Sequence, residues 1–143
     1  DQWQTVMQTN VNAAFMLNQG LFNLLDQGDP SCVIHVSSSV GLQGRAYWGA
    51  YSASKFALEG LNQILADETE TAGKIRVYSV NPGGTRTAMR REAYPLEDPQ
   101  TLPIPEQHMS LFLFLLVGSL LPGQISRPLP TTGAQLDARN WQS

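Results

Sequence analysis

The sequence is poor in cysteine, histidine and lysine, and each shortage removes a class of function. Cys32 is the only cysteine among 143 residues, so there is no disulfide framework and no cysteine-based metal site. At the head of an apolar run its thiol reads as a small buried filler. His35 and His108 are the only histidines; they lie far apart and lack a third ligand nearby, which argues against metal binding. Lys and Arg together number 9 against 12 Asp and Glu, a formal charge of −3. With no basic cluster and no aromatic ladder among lysines, nucleic acid is not an expected partner. The strongly apolar run Leu111 to Val117 is too short to cross a bilayer. The amino-terminal DQWQTVMQTN has no basic region leading into an apolar core, so no export signal is read there and the cytoplasm is the expected location. There is no internal repeat and no low-complexity tract.

What is present is globular in composition: 42% hydrophobic and 15% charged residues, enough to bury a core. The length suits one domain spanning 1–143. Apolar residues from Trp3 to Leu21 follow a helical rhythm with Gly20 as a mild interruption, and Asp26-Gln-Gly-Asp-Pro30 stops the helix. Cys32 to Val36 reads as a strand covered on both faces. A helix is expected from Trp48 or Gly49 to about Thr71, closed by Ala72-Gly73 in a left-handed cap. Lys74 to Val80 is a second strand, ended by Asn81-Pro-Gly-Gly84. Alternating helices and strands with short connections predict parallel α/β units. Arg86 to Pro105 reads as a mobile surface loop covering a site, and Glu106 to Val117 as a buried helix. Pro122 to Thr132 reads as a proline-bearing connection, and Gly133 to Ala138 as a final short strand.

The chemistry concentrates between Cys32 and Lys55. Tyr51-Ser-Ala-Ser-Lys55 places a phenol and an ammonium one turn apart on one helix face. Ser38 lies thirteen residues before Tyr51, at the carboxyl end of a strand, where open α/β sheets bind ligands. Asn81-Pro-Gly-Gly84 stands just beyond the next strand end. His35, inside the strand, suits a satisfied core role better than catalysis.

Asn10, Ser38, Tyr51 and Lys55 resemble the catalytic tetrad of the short-chain dehydrogenase/reductase family, and Asn81-Pro-Gly-Gly84-Thr-Arg-Thr87 resembles that family's loop beside the nicotinamide. The segments SSSVGLQGRAYWGAYSASKFALEG and NPGGTRTAMR are similar to its YciK-like branch of bacterial oxidoreductases. The resemblance runs from Asp1 to about Leu115, with an echo in Gly133-Ala-Gln-Leu-Asp-Ala138, and covers about the second half of a family member. It implies a partial Rossmann-like fold: about three parallel strands with flanking helices, without the amino-terminal βαβ units and their glycine-rich turn. One sheet edge is then left bare.

By the same resemblance, Tyr51 exchanges a proton with the substrate oxygen, Ser38 orients that oxygen, and Asn10 holds a water of the proton relay. Lys55 holds the nicotinamide ribose and helps to bring the phenol, with its ordinary pKa of about 10, toward neutrality. Tyr51, Lys55, Pro82, Gly83, Thr85 and Thr87 would contact the cofactor, NADP or NAD. The expected partners are a small carbonyl or alcohol substrate and copies of the chain in a dimer or tetramer, with no membrane. Ser37 and Ser39 compete with Ser38, and Asn12 with Asn10. A catalytically silent association fragment is the alternative function. A serine hydrolase using Ser38 and Lys55 is disfavoured, because there is no Gly-x-Ser-x-Gly elbow and no partnered histidine.

Overall fold

The computed structural model describes residues 2–28, 30–121 and 128–141. The first helical stretch comprises α1 (Gln2–Met7), a π-helical turn (Gln8–Asn12) and α2 (Ala13–Gln27). The irregularity expected at Gly20 is not there: a single glycine costs about 1 kcal/mol in a helix, too little to break one that packs on a sheet. The helix departs from α geometry at residues 8–12 instead, where a wider turn re-aims Asn10.

Strand β1 (Ser31–Val36) leads through a 3-10 turn at Ser39–Gly41 to α3 (Gly49–Glu70), and β2 (Ile75–Asn81) follows. Gly73 takes φ +65° as α3 ends. Beyond β2 come α4 (Ala88–Ala93), α5 (Met109–Leu120) and the short β3 (Gln135–Asp137). The described strands form one parallel sheet in the order β1-β2-β3, as expected of part of a Rossmann-like sheet. Strand β1 pairs from Ser31 with Ile75 to Val36 with Val80.

Alternation along the strands sorts the core into two layers. Ile75 and Val77 face Leu65 and Ala66 of α3, with Phe22, Leu25 and Val33 packed against them. Tyr78 and Val80 face Leu111 and Leu115 of α5 on the other side, joined by Cys32, Ile34 and Leu136. Both strands therefore pack apolar side chains on both faces, which is why apolar residues stand side by side in them, as at Cys32-Val33-Ile34 and Val77-Tyr78, rather than strictly alternating. Only one face of the apolar helix read from Glu106 to Val117 is core: Leu111 and Leu115 are fully buried, whereas Leu113, Leu116 and Val117 are exposed. Residues 122–127 of the proline-bearing connection lie outside the described residues, as does Asp29 of the turn before β1.

The stretch from Arg86 to Pro105 is more ordered than a simple loop. It contains α4, capped by the Thr87 hydroxyl accepting from Arg90 N, and a 3-10 turn at Pro99–Thr101. The Arg86 guanidinium donates to the carbonyls of Gln100 and Leu102, and Arg90 pairs with Glu97 through two 2.7 Å bonds. Local charge pairing organises what reads in sequence as proline-rich punctuation. No helix among the described residues is long and apolar enough to cross a membrane. Nor does any group of three or more metal-ligating side chains come together among them.

Candidate active site

Four segments converge at the carboxyl ends of β1 and β2. The π-helical turn brings Asn10, the exit of β1 brings Ser37 and Ser38, the first turns of α3 bring Tyr51 and Lys55, and the exit of β2 brings Pro82, Gly83, Thr85 and Thr87. All of these line one opening of about 310 Å³. Asn12 points elsewhere: it is exposed and donates to Gln8 Oε1, which separates it from Asn10. Ser39 opens the 3-10 turn and does not line the cavity, whereas Ser37 lines it deeper than Ser38, being 4% exposed.

Each group is held by a named contact. Asn10 Nδ2 donates to Ser54 Oγ at 3.0 Å, and Ser54 Oγ donates to the Tyr51 carbonyl at 2.7 Å, so the π-turn is stitched to the first turn of α3. Ser52 Oγ donates to the Val40 carbonyl at 2.7 Å, fastening the serine turn to the same helix. Ser38 is fully extended (φ −159°, ψ 158°). Lys55 Nζ donates to the Val36 carbonyl at 2.9 Å and stands 5.6 Å from the Tyr51 ring centroid. Trp48 packs on both Tyr51 and Tyr94, at 5.5 and 5.8 Å between ring centroids. It forms an aromatic wall between the phenol and the segment after α4.

Burial pushes the Tyr51 phenol above its usual value, and the Ser38 hydroxyl offsets this only in part. Burial also lowers Lys55, with Glu59 opposing. The expected fall of the phenol toward neutrality is thus not what these residues produce by themselves. Desolvation disfavours the phenolate, and the lysine hydrogen-bonds the Val36 carbonyl. The phenol therefore keeps its proton at neutral pH.

His35 is a satisfied core residue. It is 7% exposed, and its ring nitrogens sit 3.0 Å from Asn18 Nδ2 and 2.9 Å from Asn62 Oδ1. Since Asn62 Nδ2 donates to the Gly133 carbonyl, its oxygen faces Nδ1, which therefore carries the proton. This chain ties α2 and α3 to β1 directly beneath the site. His108, also buried, touches the site's edge: its Nε2 lies 3.0 Å from Thr85 Oγ1.

Sequence reasoning missed Val36, Trp48, Met89, Arg90 and Ala93 among the lining residues, and Ser54 as the partner of Asn10. Ser54 could have been found, because it sits one turn after Tyr51 on the same helix. Val36 ends β1 and Trp48 stands just before α3, whereas Met89, Arg90 and Ala93 belong to a segment whose fold depends on contacts that no local pattern announces.

The site's polar groups suit the reactive end of a nicotinamide nucleotide. Val36 and Pro82 offer apolar surface to a ring, Thr87 keeps a hydroxyl proton beyond its capping bond, and Gly83 adopts φ +73° at the turn beside them.

Comparison with known proteins agrees. The chain is 58% identical over 114 residues to the oxidoreductase YciK of Escherichia coli K12, covering 80% of this chain and 44% of that protein. It superposes on a short chain dehydrogenase from Salmonella enterica serovar Typhi CT18 with a TM-score of 0.84 at 52% identity, over 96% of this chain and 53% of that one. A short chain dehydrogenase from Escherichia coli CFT073, solved in complex with NADPH, gives a TM-score of 0.84 at 51% identity with the same coverage. The chain thus spans about half the length of the relatives it matches. The profile of the family described as short chain dehydrogenase matches residues 1–98, more than half of the chain, and to that family the chain belongs.

Proposed function

We propose that the protein carrying this chain is an oxidoreductase that interconverts a carbonyl and an alcohol with NADP(H) or NAD(H). The observation that carries this reading is the convergence of Asn10, Ser38, Tyr51 and Lys55 on one cavity that Pro82, Gly83, Thr85 and Thr87 close from the other side. The relatives solved with NADP and NADPH support the choice of cofactor. The 143 residues act as one unit, the carboxyl-terminal half of a Rossmann-like domain, and the cytoplasm is the compartment that its single thiol fits.

The nicotinamide nucleotide supplies or takes up the hydride. Tyr51 gives its phenolic proton to the substrate oxygen during reduction, and its raised pKa keeps that proton in place at neutral pH. The Ser38 hydroxyl holds the same oxygen. Lys55, Pro82, Gly83, Thr85 and Thr87 hold the nucleotide's reactive end. Lys55 places a positive charge near the developing phenolate, and Asn10, fixed to Ser54, orders the path by which the proton is replaced.

In the full-length protein, Tyr51→Phe removes the proton donor and leaves the ring. Carbonyl reduction is expected to fall by about 10²–10⁴-fold while NADPH affinity stays within about twofold, in keeping with loss of a group that acts in the transition state. Retention of wild-type turnover by this variant would overturn the mechanism.

A second reading, an association module, is favoured by the apolar groove between α2 and α3, lined by Phe15, Phe22, Leu61 and Ile64. Nucleotide titration of the 143-residue chain separates the two. Specific NADPH binding by this chain alone supports catalysis over association.

A further inference from the structure

The register of β3 against β2 sets Gln135 beside Ser79 and Asp137 beside Asn81. Two residues apart on one strand, Gln135 and Asp137 share a face of the sheet, and from it they reach different walls of the site. Gln135 Nε2 donates to the Ser38 carbonyl at 3.1 Å and to Glu59 Oε1, with Ser37 Oγ at 3.4 Å. The same Glu59 oxygen accepts from Ser79 Oγ at 2.7 Å, and Glu59 is only 3% exposed. The Gln135 amide thus reaches past β2 and directly grips the carbonyl of Ser38, while a separate buried bond ties it to Glu59. Asp137 acts on the other wall. Its Oδ2 accepts from Asn81 Nδ2 at 3.3 Å, and Asn81 Oδ1 accepts from Gly83 N at 3.0 Å. A carboxylate offers acceptors only, so it draws the Asn81 amide nitrogen toward itself and turns the amide oxygen to Gly83. Arg139 holds the Asp137 carboxyl below its ordinary pKa, which keeps it ionised for this task.

We propose that Gln135 and Asp137 are positioning residues of the site, Gln135 holding the Ser38 hydroxyl toward Tyr51 and Asp137 holding the Pro82–Gly83 turn in its nucleotide-binding shape. Both stand outside the residues 1–98 that the family profile matches. The proposal rests on the reading of Tyr51 as proton donor, and its test therefore includes readouts that need no turnover.

Two near-isosteric variants of the full-length protein serve: Gln135→Met, which removes the N–H donors, and Asp137→Asn, which lets the Asn81 amide turn either way. NADPH affinity is measured by titration. The ionisation of Tyr51 is read from the phenolate absorbance that Tyr51→Phe removes. Gln135→Met is expected to move that ionisation to higher pH and to lower kcat about tenfold, with NADPH affinity unchanged. Asp137→Asn is expected to weaken NADPH binding about tenfold, with the Tyr51 ionisation unchanged. Ser79→Ala, which cuts the Glu59 chain without touching Ser38, should leave the ionisation in place. The proposal fails if the two variants change both readouts in parallel, as general loosening would, or change neither. If the wild-type protein reduces no carbonyl, the functional reading fails by itself, and the ionisation and affinity measurements still decide this proposal.

Discussion

At Gly41 the site admits nothing larger than a hydrogen. A Cβ there would lie 2.9 Å from the Lys55 carbonyl oxygen and 3.0 Å from its carbon, and helical backbone in mid-course cannot step aside. The close approach lets the turn after Ser38 rest on α3 at the level of Lys55, so that hydroxyl, phenol and ammonium share one cavity. Gly41→Ala must push the serine turn off the helix. Its expected cost is about 1–3 kcal/mol by overpacking, read from the urea midpoint, with kcat falling by up to about 10²-fold as Ser38 is displaced. Gly44→Ala is the control, because its Cβ would meet only Ser52 Oγ, at 3.9 Å; both measurements should stay at wild-type values. If Gly41→Ala also kept wild-type kcat, the close approach would not be what holds Ser38. At this scale the sequence speaks clearly where roles follow from local spacing. Tyr51 and Lys55 are one turn apart whatever the rest of the chain does, and Ser38 sits at a strand end marked by the change from apolar residues to serines. Gln135 and Asp137 are silent, since their partners lie 97 and 56 residues away and only the assembled sheet brings them together.

Among the elements, the segment after β2 departs most from its sequence reading. Proline and charge there suggest mobility, yet Arg90 stacks 3.7 Å from the Tyr94 ring centroid while bonding Glu97 through two nitrogens. Tyr94 in turn packs on Trp48 and accepts from Arg45 at 3.3 Å. One ion pair thus secures the segment that carries Met89, Arg90 and Ala93 over the cavity. Arg90 holds Glu97 below its ordinary value of 4.5. A carboxyl whose folded pKa is depressed contributes above its unfolded value and loses that contribution as pH falls through the folded one. The pair is therefore intact at neutral pH and opens only in acid, below the ordinary carboxyl range. Glu97→Gln is expected to speed thermolysin cleavage between 95 and 103 at neutral pH. Acidification should move the Tyr94 ring resonances of the wild type as the pair opens, and should leave those of Glu97→Gln in place; identical acid behaviour of the two proteins would sink the latch. The strands and α3 were legible because short β-branched runs between turn residues announce strands and an apolar stripe at helical spacing announces a helix, and their observed limits differ from the expected ones by a residue or two. The π-helical turn at residues 8–12 and the short α4 were not. The first is a change of hydrogen-bond spacing with no residue signature, and the second depends on an ion pair that closes after the helix has ended.

For the whole molecule, the apolar surface left outside the two core layers carries the consequence. Leu17, Leu21 and Leu24 of α2 are 60%, 45% and 67% exposed, spaced to form one stripe. Leu17 lines a cleft with Val33 and Val36 of β1, and β1 pairs with β2 alone among the described strands. A sheet edge beside an apolar helical stripe is a template for association unless something covers it. Because the chain spans 44% of the length of its YciK relative, further chain packing on this face is the expected cover in a protein of that size. The two situations give opposite signs to one pair of substitutions, Leu17→Lys with Leu24→Lys. In the isolated 143-residue chain, sedimentation is expected to show concentration-dependent association, and the double variant should suppress it by replacing apolar contact with like charge. In a full-length protein the same leucines would be buried, each worth about 1.5–3 kcal/mol against water, and two lysines in their place should lower the denaturation midpoint sharply. A full-length protein indifferent to both lysines would show that this face stays in water, and association of the short chain would then have to run through the groove between α2 and α3.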